Sequence, residues 1–339
     1  RHAQPPNSRR PAGSQGKQAY ETWSKARKLK IPLRQIATAF AFRVAELVEP
    51  GGRLCLIMPA GAFARPQHRK FLERWLEEVR LTRLINFSDL RLLLFPGAKH
   101  PCMVVVAEPA TADDASMTRV PPSFEYVTPK ADLGLLYNRL VIHASDRRTL
   151  LQSQLSLNPR LVQGLYWGSE RELAEVERLR LQGTIGSVIA RHEGASGGGF
   201  HMTDGTKAIS PGFLRQWPHI DANSLPGTGP ALPKHCLQPW PRELSQIASR
   251  GDRALYEGAR VIVPNGMTAH HRIRAFAVTE PASITNSCSA LRLGVGGDAL
   301  ARFAAAYLCS RFGAYLALLL APSAVMERTQ IKHGELLEL

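Results

Sequence analysis

Two short apolar runs most strongly limit how this chain can fold. The first, Arg53–Pro59 (RLCLIMP), follows a Pro-Gly-Gly turn, and the second, Cys102–Ala107 (CMVVVA), contains three consecutive valines. Runs of this kind predict central strands of a sheet that is covered on both faces. Helical spacing of apolar residues predicts helices at Arg34–Glu49 and Gln67–Val79, and Leu84–Phe87 predicts a further strand. The order helix, strand, helix, strand, strand predicts an α/β fold, the second half of a doubly wound sheet.

A polar segment divides the chain after these elements. Residues Thr111–Ser123 are small and polar and include two prolines, which is typical of a linker. We expect a first domain at residues 1–112, a connector at residues 113–180 and a mixed α+β domain at residues 181–339. Within the connector, helices are predicted near Asp146–Gln154 and Glu170–Arg180.

The last domain has a different composition. Beyond Gly183 the chain is rich in Gly and Pro and carries aromatic residues between short predicted strands. Its elements are predicted at Arg260–Pro264 and Ile273–Val278, as strands, and at Leu300–Leu320, as an apolar helix.

The charge of the chain favours an anionic partner. There are 43 Lys and Arg residues against 28 Asp and Glu, which gives a net charge of +15 and a pI of about 10.1. Such an excess attracts a polyanion, and nucleic acid is the first candidate because phosphate contacts release counterions. The alternative is that the many Arg and Ala residues reflect a GC-rich genome, in which case part of the excess carries no function.

The cysteines and histidines do not predict a metal site. None of the five cysteines forms a CxxC pair, and three of them, Cys55, Cys102 and Cys309, lie in apolar runs. We interpret them as buried free thiols of a cytoplasmic protein. The pair His270 and His271 lacks an HExxH or Cys/His context and predicts a turn instead of a metal site. The full set of cysteines is Cys55, Cys102, Cys236, Cys288 and Cys309.

No membrane span is predicted either. The most apolar helical stretch, Ala301–Ala321, is interrupted by Arg302 and Arg311, so its uncharged run falls short of the roughly 20 residues that cross a bilayer. No signal peptide is recognised. The chain begins with Arg1 instead of Met and stops at Leu339 without a closing turn, and we expect it to be cut at both ends.

Several of these stretches together resemble one family, the adenine-specific DNA methyltransferases of restriction-modification and phage-defence systems. The matching stretches are AFAFRVAELVEPGGRLCLIMP (residues 39–59), RLINFSDLRLLLFPGAKHPCMVVV (83–106), YVTPKADL (126–133), GARVIVPNG (258–266), HRIRAFAV (271–278) and AAYLCSRFGAYLALL (305–319). The resemblance implies a Rossmann-like methyltransferase sheet followed by a target-recognition domain. It implies double-stranded DNA as the partner, and restriction or defence-system subunits as possible further partners.

The resemblance also implies S-adenosylmethionine as the cofactor, held by a glycine-rich loop after a first strand. The chain supplies no such loop. Its one glycine-rich run, Gly194–Gly199 (GASGGG), has no strand–turn–helix context and no acidic partner downstream, and we interpret it as a flexible surface loop. The elements that bind the cofactor are therefore expected to be mostly missing from this chain.

The opening stretch matches the catalytic loop of the family by position. In that family an Asn-Pro-Pro-aromatic loop holds the extruded adenine: the Asn side chain and a backbone carbonyl accept hydrogen bonds from its amine, and the aromatic ring stacks on it. Residues Gln4, Pro5, Pro6 and Asn7 lie at about the corresponding distance before Arg34. Gln is longer by one methylene, and Asn offers no ring. The resemblance thus implies a degenerate catalytic loop, and a proline-rich basic tail remains the alternative.

A second loop carries the other residue that the resemblance assigns to the target base. Phe95, in Leu-Phe-Pro-Gly, matches the family position whose ring packs on the extruded adenine, and Lys99 follows it as a candidate phosphate contact. The alternatives are an apolar plug beneath the turn for Phe95 and a solvated side chain for Lys99. Asp89, in Phe-Ser-Asp, predicts an acid that caps a loop.

The last domain offers candidate DNA contacts of its own. Arg272 and Arg274 alternate with apolar residues along a predicted strand, so both should lie on one face, which suits contact with phosphate or guanine. Arg260 and Lys207 are predicted to extend this basic patch. The alternative for all four is a scattered set of solvated cations.

Two functions follow from the sequence. The first is the carboxy-terminal portion of a site-specific DNA adenine methyltransferase, inactive by itself because the cofactor loop is missing. The second is a DNA-binding specificity module without catalysis. An in-frame glycine-rich cofactor loop encoded upstream of Arg1 would favour the first.

Overall fold

The computed structural model describes residues 21–32, 35–95, 97, 100–110, 121–158, 160–203, 208–227, 229–294, 297–324 and 329–339. The chain divides into two units, Arg1–Trp167 and Gly168–Leu339. Each unit has its own sheet and its own buried core.

The first unit alternates helices and strands along the chain. Residues 21–26 are helical, and 3-10 helices lie at Pro66–His68, Leu133–Tyr137 and Ala144–Asp146. The remaining elements are α1 (Ile36–Leu47), β1 (Leu54–Pro59), α2 (Gly61–Ala64), α3 (Arg69–Trp75), β2 (Val79–Asn86), α4 (Arg91–Leu94), β3 (Cys102–Pro109), β4 (Ser123–Val127), β5 (Arg147–Leu151), α5 (Gln152–Leu157) and α6 (Arg160–Trp167).

The five strands of this unit form one mixed sheet in the order β1-β3-β2-β4-β5. Strand β3 runs antiparallel to both β1 and β2, so β1 and β2 are parallel to each other. Strand β4 pairs with β2 in parallel, with Ile85 opposite Val127, and β5 pairs with β4 in antiparallel orientation. The predicted α/β class and the order of the first five elements are confirmed, but the sheet is mixed.

The helices cover one face of this sheet. An aromatic cluster forms the core there: the rings of Phe42 and Phe71 are 5.5 Å apart, those of Phe71 and Trp75 are 5.9 Å apart, and the indole Nε1 of Trp75 donates to the carbonyl of Ala41. On β1, burial alternates, because Leu54, Leu56 and Met58 face the helices. Truncating one of the buried aromatic residues to Ala should cost about 3–5 kcal/mol of folding free energy.

Two predictions about β1 are wrong. It was expected to be a central strand covered on both faces, but among the described strands it lies at the edge of the sheet, and its faces alternate between buried and open. Cys55 was expected to be buried and is exposed for the same reason. Cys102 and Cys309 are half-buried, and all five cysteines are free thiols.

The second unit contains more short strands. Its 3-10 helices are Gly212–Gln216, Lys234–Cys236 and Arg253–Leu255. The other elements are α7 (Glu170–Arg180), α8 (Ile185–Arg191), β6 (Ala195–Gly198), β7 (His201–Met202), β8 (His219–Ile220), β9 (Ile247–Ser249), β10 (Arg260–Pro264), β11 (Phe276–Val278), β12 (Ser283–Ile284), β13 (Cys288–Arg292), α9 (Gly297–Cys309), α10 (Arg311–Leu320) and α11 (His333–Leu336).

The main sheet of the second unit is antiparallel and has the order β11-β10-β13-β6. Its last strand corrects the interpretation of GASGGG as a flexible loop, because Ala195–Gly198 pairs with β13. A Cβ added at Gly194 would lie 2.1 Å from the carbonyl oxygen of Arg292, and one at Gly199 would lie 2.1 Å from that of Ile284. The glycines are therefore required by close backbone packing.

The predicted apolar helix at Leu300–Leu320 is broken in two. Helices α9 and α10 meet at an angle of 69°, and Ser310 caps the second by accepting a hydrogen bond from the backbone N–H of Gly313. No single helix among the described residues is long and apolar enough to cross a membrane. The two helices of this bent pair reach the necessary length and apolar composition only when they are taken together.

The predicted connector is shared between the two units. Helix α7 matches the predicted helix at Glu170–Arg180, but the helix predicted near Asp146–Gln154 is wrong, because Arg147–Leu151 forms β5. Strands β4 and β5 hydrogen-bond into the first sheet, so residues 123–151 belong to the first unit.

Candidate nucleic-acid interface

The carboxyl edge of the first sheet is where β2 and β4 both end. Because these strands are parallel, the loops that follow them start side by side. The buried side chain of Asn86, the last residue of β2, fixes the first loop: its Nδ2 donates to the hydroxyl of Tyr126, and its Oδ1 accepts from the backbone N–H and hydroxyl of Ser88. In open α/β sheets this edge is the usual place for a ligand.

Asp89 ties the two loops together. Its carboxylate accepts a hydrogen bond of 2.7 Å from the backbone N–H of Ala131, in the loop after β4. Its own N–H donates to the hydroxyl of Tyr166, which donates in turn to the carbonyl of Pro129. The prediction that Asp89 caps a loop is confirmed.

Phe95 lies directly after α4 on the same edge. Its backbone N–H donates to the carbonyl of Arg91 and ends the helix, while its side chain is half-buried. The ring is therefore neither a fully buried plug nor a freely exposed platform, and its role toward a base stays a prediction. Lys99 lies outside the described residues.

Lys130 is a residue at this edge that the sequence did not single out. Its Nζ lies 3.5 Å from the centroid of the Tyr166 ring and donates to the carbonyl of Thr128. Burial lowers the pKa of this amine to about 8, and the carboxylates of Asp146 and Asp89 oppose the shift only in part. The only available signal was its position within the stretch YVTPKADL, which resembles the methyltransferase family.

Two sets of predicted residues cannot be located. Gln4, Pro5, Pro6 and Asn7, the proposed degenerate catalytic loop, lie outside the described residues, as does Lys207. Their roles remain predictions from the sequence.

In the second unit, Arg260 is not a surface cation. It is fully buried, and its guanidinium donates to the carbonyls of Gly258, Glu280 and Ala282 at 2.9, 3.0 and 3.3 Å. Burial also lowers the pKa of Arg260 to about 10. The prediction that Arg260 extends a DNA-binding patch is wrong, because a side chain that links three carbonyls inside the protein cannot reach a phosphate.

Arg272 and Arg274 differ in what they contact. Ile273 and Ala275 are buried while the two arginines are half-exposed, as expected for alternating residues of an extended segment, although only Phe276–Val278 forms β11. Arg274 donates to the carbonyls of Gly266, Ala222 and Leu225. Arg272 makes no side-chain hydrogen bond or ion pair with any residue that the structure describes.

The neighbouring histidines form a turn, as predicted. His271 has φ +54°, and its N–H donates to the carbonyl of Thr268. In the described part of the chain, no group of three or more His, Cys, Asp or Glu side chains could hold a metal ion.

Comparison with known proteins gives little guidance. No family model matches the chain, and no curated protein matches it. Among solved structures it is similar to the type IIG restriction endonuclease BpuSI, with 11% sequence identity and a TM-score of 0.36. The similarity covers 88% of this chain but 42% of that one. At this identity and TM-score the likeness carries no weight for function.

Proposed function

We propose that this chain is the carboxy-terminal portion of a site-specific DNA adenine methyltransferase of a restriction-modification or phage-defence system, in which its second unit recognises the DNA target. The observation that carries the proposal is the carboxyl edge of the first sheet. Two parallel strands end there, Asp89 joins their loops, and Phe95 and Lys130 bring an aromatic ring and a cation to the same edge.

The topology around that edge supports the same proposal. Strands β1 and β2 are parallel and are connected through α3, which is the crossover unit of a doubly wound sheet. The stretches that resemble the methyltransferase family, residues 39–59 and 83–106, contain most of α1, all of β1, the end of β2 and most of β3, while α3 lies between them.

The charge of the chain supports a DNA partner. A net charge of +15 favours a polyanion, and in the second unit the partly exposed guanidinium of Arg272 makes no hydrogen bond or ion pair with a described residue. Contacts of this kind position a protein on phosphates, whereas site specificity requires contacts with base edges.

Within the part of the chain that the structure describes, the glycine-rich run does not fit S-adenosylmethionine. This run, Gly194–Gly199, is packed against the carbonyls of Arg292 and Ile284, so its backbone leaves no room for a cofactor. We therefore assign DNA binding, and no methyl-transfer step, to the residues present. The competing proposal, a specificity module without catalysis, makes the same assignment and differs in whether a cofactor-binding half belongs to the same protein.

A selection experiment tests the proposal. The purified chain is incubated with a random-sequence duplex library, bound DNA is recovered and sequenced, and heparin is the control polyanion. We expect enrichment of one sequence and binding that weakens steeply as salt rises. Recovery of DNA without any enriched sequence would defeat the site-specific proposal. Tritium incorporation from labelled S-adenosylmethionine above background would contradict the assignment of an inactive chain.

A further inference from the structure

The connection between β10 and β11 extends beyond the main sheet of the second unit as a hairpin. Strand β10 ends at Pro264 and its partner β11 begins at Phe276, so residues 265–275 join the two. We define the hairpin tip as residues 268–272. At its ends, the N–H of Thr268 donates to the carbonyl of Arg272 at 2.9 Å, and the N–H of Arg272 donates to the hydroxyl of Thr268 at 3.0 Å. These two hydrogen bonds close the tip into a fixed loop.

The two arms that carry the tip are held by contacts of their own. In the first arm, the N–H of Met267 donates to the carbonyl of Thr329 at 2.9 Å. The guanidinium Nε of Arg274, in the second arm, donates to the carbonyl of Gly266 in the first at 3.1 Å. Because the whole hairpin is ordered before it meets a ligand, binding through its tip loses little conformational entropy.

The hairpin tip presents two imidazole rings to the surface. His270 and His271 are both exposed. His271 has φ +54°, in the left-handed region that glycine adopts without steric cost and that other residues adopt less easily. A side chain kept at such a position, at a cost to the backbone, is typical of a functional residue.

Two further segments meet the base of the hairpin at the same edge of the sheet. The side-chain Nδ2 of Asn265 donates to the carbonyl of Asn286 at 3.1 Å, and the side-chain Nδ2 of Asn286 lies 3.0 Å from Nδ1 of His201. Residues 200–202, 265–275 and 285–287 therefore form one continuous edge. We call it the hairpin edge.

The charges at the hairpin edge favour an anionic partner. Its three segments contain two arginines, Arg272 and Arg274, and no acidic residue. The start of β13 at this edge shows which other charge acts there: burial raises the pKa of the Cys288 thiol, the guanidinium of Arg274 lowers it, and the carboxylate of Asp221 raises it. Two arginines against that one carboxylate leave a local positive charge, which suits a phosphate backbone.

The shape and the side chains of the hairpin suit the major groove of DNA. This groove is wide enough to admit a two-stranded β-ribbon. Every purine presents its N7 atom there as a hydrogen-bond acceptor. An imidazole ring carries an N–H donor in either of its charge states. The tip thus offers donors where the groove offers acceptors.

We propose that the hairpin tip enters the major groove of the DNA target, where the imidazole N–H groups of His270 and His271 donate hydrogen bonds to purine N7 atoms and Arg272 contacts a flanking phosphate. This inference rests on the proposed function, since it requires a DNA target, and it adds which residues read the bases. Because base contacts specify a sequence and phosphate contacts position the protein, the two histidines determine part of the recognised site.

The experiment removes single N7 atoms from the DNA. The sequence that the full chain enriches from a random duplex library is synthesised with each purine replaced in turn by its 7-deaza analogue, which lacks N7 but keeps its base pairing and its minor-groove edge. Affinities are measured by fluorescence anisotropy. At one or more positions the parent should bind the 7-deaza duplex about tenfold more weakly, as is usual for the loss of one base contact.

The test variant is His270→Ala, His271→Gly, and its matched control is His192→Ala. Glycine at position 271 fits the left-handed backbone, so the double variant should melt at the parent temperature or above it. It should bind the unmodified site about tenfold more weakly than the parent and lose nothing more on the 7-deaza duplexes. His192 is also exposed but lies at the opposite edge of the same sheet, because it precedes Ala195, which pairs with the last residue of β13. The control should respond to N7 removal as the parent does.

The outcomes separate this inference from the proposed function. A parent that enriches one sequence but is indifferent to N7 at every purine would overturn the role of the hairpin and leave site-specific recognition intact. The same holds for a double variant that still responds to N7 removal, and for a folded double variant that binds no duplex, since its phosphate contacts should persist. A parent that enriches no sequence would defeat the proposed function and the inference with it.

Discussion

Replacing Arg260 by Met separates a structural arginine from a DNA-binding one. Arg260 is fully buried and donates three hydrogen bonds to the carbonyls of Gly258, Glu280 and Ala282. Met fills much of the same volume but donates no hydrogen bond. The substitution should therefore lower the stability of the second unit and leave DNA contacts unchanged.

The magnitude follows from the three acceptors. A hydrogen bond from a charged donor contributes about 1.5–3 kcal/mol. Gly258 and Glu280 are exposed residues whose carbonyls can bind water instead, and removing a desolvated guanidinium offsets part of the loss. The net loss should be about 2–4 kcal/mol, which for a unit of this length lowers Tm by roughly 5–15 °C.

Calorimetry of the full chain measures the loss, and DNA titrations at several salt concentrations test the contact. The comparison variant is Arg272→Ala, which removes a partly exposed guanidinium that makes no hydrogen bond or ion pair with a described residue. It should melt with the parent, and its log–log salt dependence should flatten by about 0.9 for one lost phosphate contact. An Arg260→Met protein that melts like the parent and flattens the salt dependence would refute the reasoning.

Three other perturbations have defined outcomes. Phe95→Ala should cost only about 1–2 kcal/mol in a melting experiment, because the ring is half-buried; a loss of about 3–5 kcal/mol would identify a core plug instead. His219 is buried beside the Ser283 hydroxyl, and burial lowers its pKa. The unfolded chain therefore binds a proton at this ring more readily than the folded chain does. The stability contributed by the neutral, buried His219 is complete above pH ~6.5 and is lost as the pH falls. His219→Gln should reduce the decline of Tm toward pH ~5, and a variant whose Tm declines as much as the parent's would show that His219 does not cause it. Cys55 is exposed and Cys288 is buried, so a thiol reagent should modify Cys55 in the folded chain and Cys288 only after unfolding. A Cys55 that stays unmodified would contradict its position on the edge strand, and modification of Cys288 in the folded chain would contradict its burial.

Local sequence patterns were sufficient for several elements. Helical spacing at Arg34–Glu49 and the apolar run at Arg53–Pro59 correspond to α1 and β1 within a residue or two. The predicted strand Arg260–Pro264 and the predicted helix Glu170–Arg180 have the observed bounds. In these segments the pattern of side chains and the backbone preference agree, so no distant partner was needed to identify them.

The candidate site was predictable only in part. Asp89 was identified as a capping acid from its position in a loop, but Lys130 was not identified, because its contacts come from Tyr166 and Thr128 after folding. The sequence also did not predict that leucines at the same edge are exposed, namely Leu92, Leu93, Leu133 and Leu136. An apolar run in a sequence does not reveal which of its side chains find a partner.

The sequence by itself determined the order of local elements in the first unit, the net positive charge of the chain, and the types of residue at the carboxyl edge. The tertiary structure alone decided that GASGGG forms a strand, that Cys55 faces outward and that Arg260 is buried. Each of these depends on backbone groups far along the chain: the carbonyl of Arg292 beside Gly194, and those of Glu280 and Ala282 around the Arg260 guanidinium. Local propensity carries no information on such partners, because strand pairing and burial are set by which distant segments meet.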